Sequence, residues 1–344
     1  MNVSPSEFSR MIREMSEDGG FFSSDTLTSN ETGYLHVLGE LERLGISGGA
    51  YVGVGPEANF TYIAALRPEI AFVVDIRRAA MIQHLLYKAI FHHARNRAEF
   101  LALLFARSLP PDALEASTSL PTLLNYVESA PASDERCAQN LAMIRGTIEE
   151  MFRVSLSSTD IASLEDIYQS FFRGNLAIGY AEGFASLKEL LLATDLDGRQ
   201  RSFLADPADY EFVRDLEARN CVIPLVGDLA GAKALASVAD YLAQRHCALE
   251  VFYTSNVEEY LFQDRTFSRF ADNVARFAIA DRAVFIRSLR GGWAERHPAN
   301  TRRFSRTSLV AGIAGFLDGY RKGACSNYWK VVTAGSAPAR ASSK

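Results

Sequence analysis

Five short apolar runs punctuate the chain: Ala50–Val54, Ala71–Val74, Val222–Val226, Leu249–Tyr253 and Ala283–Ile286. Each is bounded by turn residues or charge and is rich in β-branched or aromatic side chains. Continuous apolarity, rather than alternation, predicts strands covered on both faces. Helical spacing falls between them, at Glu57–Leu66, Arg78–Ala94, Gly231–Arg245 and Phe262–Phe277. Strand and helix alternate, so the expected fold class is α/β with a doubly wound, mostly parallel sheet. Upstream, helices are expected at Pro5–Met15 and Tyr34–Leu44, the second capped by Asn30 or Thr32 and ended by Gly45. Downstream, Thr307–Tyr320 reads as a helix and Tyr328–Val332 as a further strand.

Between Asn96 and Val222 the rhythm breaks. That interval reads as helices only, at Arg97–Ser108, Leu120–Glu128, Asp134–Phe152, Leu164–Phe172, Ala181–Ala193 and Pro207–Arg219. A connection so long must carry its own structure. The expected organisation is therefore an N-terminal helical or lid segment at 1–48 and a sheet domain built from 49–96 and 221–333. A helical insertion at 97–220 follows the second strand, and a disordered tail occupies 334–344.

Composition narrows the classes. The formal net charge is -5, so no whole-chain basic excess points to nucleic acid or an anionic membrane. No apolar run approaches the roughly 20 residues needed to span a bilayer, and residues 1–20 lack an apolar leader. Cys137, Cys221, Cys247 and Cys325 form no CxxC pair and no zinc spacing. Reduced thiols in the cytoplasm are the expectation.

The candidate chemistry starts at Ala50-Tyr-Val-Gly-Val-Gly-Pro-Glu, where a strand meets a helix. Gly53 and Gly55 permit a tight turn and close approach of a ligand, and Pro56 suits the first helical turn. Asp75 ends the next strand, where an acid can accept bonds from ribose hydroxyls. With Ala58 the run also fits G-x-G-x-x-A, which keeps a nicotinamide dinucleotide open. Arg77 and Arg78 could then meet a 2′-phosphate. Against this, Glu57 would repel a pyrophosphate at the helix N-terminus. Asp228 ends the third strand in the same way as Asp75. Three acids at neighbouring strand ends favour a cationic ligand with hydroxyls over one with phosphates.

These pieces resemble the class I S-adenosylmethionine-dependent methyltransferases. The likeness rests on Tyr51-Val-Gly-Val-Gly-Pro-Glu, Phe72-Val-Val-Asp-Ile and Gly227-Asp228, and covers about residues 49–78 and 222–290. The start of the glycine loop also resembles a bacterial methyltransferase-like family. The resemblance implies a Rossmann-like fold of the methyltransferase type and S-adenosylmethionine as cofactor. Gly53, Gly55 and Glu57 would then hold the amino-acid part, Asp75 the ribose, Ile76 the adenine face, and Gly227 with Asp228 the adenine amino group. Ser255 would join the cofactor-binding set, because the family places active-site groups after the fourth strand. The shortened C-terminal hairpin and the large insertion depart from the family. The implied activity is methyl transfer to an acceptor that the sequence does not name. An NAD(P)-dependent oxidoreductase and an inactive Rossmann-like binding protein are the alternatives.

Other groups in the chain carry candidate chemistry beside this set. Asn256 could orient a nucleophile or the cofactor and Glu258 could act as a base, although Ser-x-x-Glu is also a helix cap. The Thr28–Tyr34 loop is a possible lid, with Asn30, Glu31 and Tyr34 reaching in, or else a cap on the following helix. His84, His92 and His93 share a helix and read as surface or partly packed, with no metal-ligand set. Arg287, Arg290, Arg296, Arg302, Arg303 and Arg306 could bind an anionic substrate or dock against the acidic remainder of the chain, with a solvated basic segment as the default.

Overall fold

A computed structural model describes residues 1–22, 27–110, 118–300 and 302–334. Six strands form one sheet: β1 (Ala50–Gly53), β2 (Ile70–Asp75), β3 (Val222–Val226), β4 (Leu249–Ser255), β5 (Ile279–Arg290) and β6 (Arg306–Gly312). Their spatial order is β3-β2-β1-β4-β5-β6. The first five run parallel, and β6 pairs antiparallel with β5 along Arg290↔Arg306 to Val284↔Gly312. The protein is thus α/β with a mostly parallel, mixed sheet. Every residue of β1, β2 and β3 is buried, which is why those segments are apolar without alternation.

The strand order reverses beside β1. The chain steps outward from β1 to β2 and β3, then returns to place β4 on the other side of β1. Such a reversal parts the connections above the carboxyl ends of the strands and leaves a crevice there.

Between β2 and β3 the described residues hold helices and no strand of the sheet. The helices are Arg78–His93, Arg97–Leu104, Leu120–Ser129, Asp134–Gly146, Ser158–Gly174, Leu187–Leu192 and Pro207–Ala218. The helix expected over Asp134–Phe152 turns into a π-helical turn at Thr147–Met151. Residues 181–186, expected to be helical, are turn and extended chain before Leu187. A buried pair ties this insertion together: Lys88 Nζ donates to Glu217 Oε2 at 3.1 Å and lies over the rings of Phe8 and Phe152.

Three segments differ from their expected form. Arg306–Gly312 is a strand, with the helix starting only at Ile313. Thr307 and Val310 are β-branched and the segment pairs fully with β5, so edge pairing overrides the helical spacing that continues from Ile313. Tyr328–Thr333 is a helix despite Val331 and Val332. Asn327 caps it by accepting from the Lys330 N–H at 3.0 Å, and Tyr328, Val331 and Val332 form one buried face. Tyr34–Val37 is a 3₁₀ turn leading into Leu38–Leu44, and neither has a side-chain cap from Asn30 or Thr32. The tail beyond Ala334 lies outside the described residues.

Candidate functional site

A cavity of about 260 Å³ lies over the carboxyl ends of β1, β2, β3 and β4. Val54–Pro56 follow β1, Val74–Arg77 end β2, Gly227–Leu229 follow β3, and Tyr253 with Ser255–Val257 end β4. The N-terminal segment closes it with Phe21, Phe22 and Thr28–Glu31, and Tyr180 reaches it from the insertion. The strand reversal therefore places the glycine loop, the two strand-end acids and the post-β4 residues around one space.

Gly55 lines the cavity with φ +80, a left-handed conformation that favours glycine. Gly53 serves a different end. A Cβ there would lie 2.0 Å from Asn59 Oδ1 and 2.7 Å from the Tyr51 hydroxyl oxygen, so this glycine admits side chains of the protein itself. The Asn59 amide donates to the carbonyls of Val54, Gly55 and Pro56 at 2.8–3.0 Å and fixes the loop. His84 supports the loop from below, with Nε2 2.9 Å from the Gly55 carbonyl. It is buried, which lowers its pKa and favours neutral imidazole. Expected near the surface, His84 is instead a pillar of the site; His92 and His93 are exposed. Gly227 is a close-packing position too, since a Cβ there would meet Ala234 at 2.3 Å.

The acids divide into groups with distinct partners. Asp75 lines the cavity and accepts from the Arg77 N–H at 2.9 Å and from its guanidinium at 3.1 Å on both oxygens. Arg78 turns away, forking onto buried Asp160 at 2.6 and 2.9 Å. Asp228 accepts from the Ala230 N–H at 2.9 Å. Ile76 lines the cavity beside it. Glu17 is an acid the sequence reading overlooked. Its carboxylate accepts from the N–H groups of Asp228, Lys233 and Ala234 at 2.7–3.0 Å, at the start of the helix Ala234–Gln244. That helix N-terminus is thus already met by a carboxylate.

Glu57 stands outside the cavity lining. Its two oxygens accept from the Ser29 N–H at 3.0 and 3.2 Å. Burial pushes its carboxyl up to about 7, opposed by that N–H. It therefore anchors the Thr28–Glu31 strap rather than facing a ligand. The strap has two further anchors. Arg306 Nη1 donates to the Asn30 carbonyl at 3.0 Å, and the Ser255 hydroxyl donates to Glu31. Of the three expected lid residues, Asn30 and Glu31 line the cavity. Tyr34 does not; its hydroxyl donates to the Leu190 carbonyl at 3.0 Å and its side chain packs in the core.

At the β4 end, Ser255 sits where the β4–β5 register shifts and has φ +51. A bulge of this kind re-aims a side chain, here toward Glu31. Asn256 lines the cavity and its Oδ1 accepts from the Ser255 hydroxyl at 3.3 Å. Glu258 is brought elsewhere. It is 1% exposed, lies outside the cavity lining, and receives a fork from Arg287 at 2.5 and 2.9 Å. Arg287, expected in a solvated basic segment, is also 1% exposed and lies over Phe285 and Phe316. Glu31, like Asp75, is a buried acid that lines the cavity, but among the described residues it has no guanidinium forked onto it. Burial raises its pKa, against the hydroxyls of Ser255, Tyr253 and Ser288 and the charge of Arg306. Its Oε2 has no hydrogen-bond partner among the described residues. Its one sequence signal was an acid inside a polar loop ahead of the first strand.

Among the described residues, no group of His, Cys, Asp and Glu is placed to hold a metal ion. No described helix is long and apolar enough to cross a membrane. The fold and site define an α/β protein with a small-molecule type of cavity at the strand ends. Residues 26–310 match the family described as Domain of unknown function (DUF7790), and the chain belongs to that family. No curated protein matches the chain.

Proposed function

We propose that this protein binds S-adenosylmethionine in the cavity above β1, β2, β3 and β4 and acts as a methyltransferase-like protein on a Rossmann-like fold. The observation that carries this reading is the charge of the cavity. Among the described lining residues the acids are Glu31, Asp75, Asp228 and Asp264, and the one cationic side chain, Arg77, is held against Asp75. A surplus of carboxylates suits a ligand with a positive centre, an amine and hydroxyls, and opposes a pyrophosphate.

The chain's own residues fit such a ligand. Gly55 presents backbone in a left-handed turn, Asp75 and Asp228 offer carboxylates from adjacent strands, and Ile76 gives an apolar face. The bound cofactor would supply an electrophilic methyl group on a sulfonium. The protein's part is orientation by the strand ends and exclusion of water by the strap. On this reading 49–96 with 221–333 forms the cofactor-binding part and 97–220 contributes Tyr180 to the acceptor side. The four buried free thiols suit a reducing compartment such as the cytoplasm.

An NAD(P) site is less well served. Arg77 and Arg78, which would meet a 2′-phosphate, are both engaged with aspartates. Calorimetric titration with S-adenosylmethionine and, separately, with NADPH tests the choice. Saturable binding of the first is expected. Binding of NADPH alone would overturn the reading.

A further inference from the structure

We propose that Glu31 is the recognition acid for a primary ammonium group that the methyl acceptor presents to this cavity, an inference that rests on the reading above. Three of the four lining acids are charged groups that already have partners or water. Asp75 is forked by Arg77, Asp228 takes a backbone N–H, and Asp264 is exposed to water. Glu31 is 5% exposed and lines the cavity, and its Oε2 has no hydrogen-bond partner among the described residues. Its neighbours on the carboxyl are neutral hydroxyls, Ser255 donating to it and Tyr253 and Ser288 beside it, and among the described residues no ammonium or guanidinium bonds it. The guanidinium of Arg306 is directed to the Asn30 carbonyl and the Phe184 ring.

A buried carboxyl with no cation bonded to it, and only the more distant charge of Arg306 nearby, is costly to ionise. A ligand that brings the missing cation recovers that cost, so the pocket selects for positive charge at this point. The walls agree. Phe22, Tyr180, Tyr253 and Tyr260 line the same cavity, with the Phe22 and Tyr260 rings edge to face at 5.4 Å. Aromatic faces attract cations and exclude the water that would screen them. An ammonium fits both features, having three N–H donors and a compact charge. When it docks, any proton that Glu31 carries leaves the carboxyl O–H to solvent. The bond pair stays on Oε2, which then accepts from the ammonium N–H.

The experiment uses propylammonium chloride as the probe. It is titrated calorimetrically into the full-length protein, alone and saturated with S-adenosylmethionine, in two buffers of different ionisation enthalpy. Wild type should bind the probe, and the proton release per probe bound should grow as the pH is lowered toward the range where the carboxyl is protonated. E31Q should bind it roughly ten- to hundredfold more weakly, as expected for loss of a charged hydrogen-bond partner, and release none. E31D keeps the charge and should lose less, which covers the case of a misfolded E31Q. No probe binding by wild type, or equal binding by E31Q, overturns the proposal. So does an E31Q protein that loses S-adenosylmethionine affinity while keeping the probe, because the acid would then serve the cofactor's own ammonium. Failure of S-adenosylmethionine to bind wild type overturns the preceding reading instead, and the titration of the protein alone still decides the role of Glu31.

Discussion

Glu31 and Glu258 are two buried acids beside the same strand end, on either side of Ser255, and their surroundings differ in one respect. Glu258 receives both arms of the Arg287 guanidinium. Glu31 receives a hydroxyl and retains an unpartnered oxygen. The first arrangement is an ion pair in which both carboxylate oxygens are taken, with only the Arg287 Nη1 left without a partner among the described residues. The second leaves chemical capacity facing a cavity. Proximity to the fourth strand drew the sequence reading toward Glu258, but what separates a structural acid from an available one is the counter-ion.

Breaking the ion pair should have the largest effect. Arg287→Leu strands the Glu258 carboxylate in the core, with an expected stability loss of about 3–5 kcal/mol in denaturant unfolding. The double change Arg287→Leu with Glu258→Leu should recover most of that loss, since two apolar groups leave no uncompensated charge. A loss under about 1 kcal/mol in the single variant would mean the pair is not committed in this way.

Glu57 offers an intermediate case, buried with backbone N–H bonding and no cation of its own. Its folded pKa of about 7 lies above the ordinary 4.5. Between those values the folded state holds a proton that the unfolded state has lost. Stability should therefore fall as pH rises through that window, by up to roughly 3 kcal/mol from this group. Glu57→Gln should flatten that part of the stability profile; an unchanged slope would place the titration elsewhere.

The smallest expected stability effect is at the open acid itself. Glu31→Gln should change stability at neutral pH by less than about 1 kcal/mol, or raise it, because it removes a carboxyl that burial disfavours when ionised. A loss comparable to that of Arg287→Leu would erase the contrast and make Glu31 a structural acid after all. Thermal unfolding of the two variants side by side decides this.

Much of the sheet was legible. The five parallel strands were marked by continuous apolar runs, and GxG with Asp75 marked the crevice, because both are local patterns. The edge was harder. Thr307–Val310 becomes a strand only through β5, and the extension of β5 to Arg290 brings Arg287 inside to meet Glu258. The acids were hardest. Glu57 has the composition of a ligand contact but turns to Ser29. Asp228 lies where expected, while Glu17 and His84 act through contacts with segments distant in sequence.

The bond from Ser255 to Glu31 joins positions 224 apart, and that from Asp228 to Glu17 joins positions 211 apart. Both close long loops, and ordering them brings an entropic cost that local contacts do not carry. Contacts of such separation slow folding, because the loop must close before they reward it. The cavity is complete only when the N-terminal segment and both halves of the sheet have come together. Its strap should exchange amide hydrogens sooner than β1 or β2, because a segment held by a few distant bonds opens without the core. The completeness of the cavity is thus tied to the meeting of segments far apart in sequence.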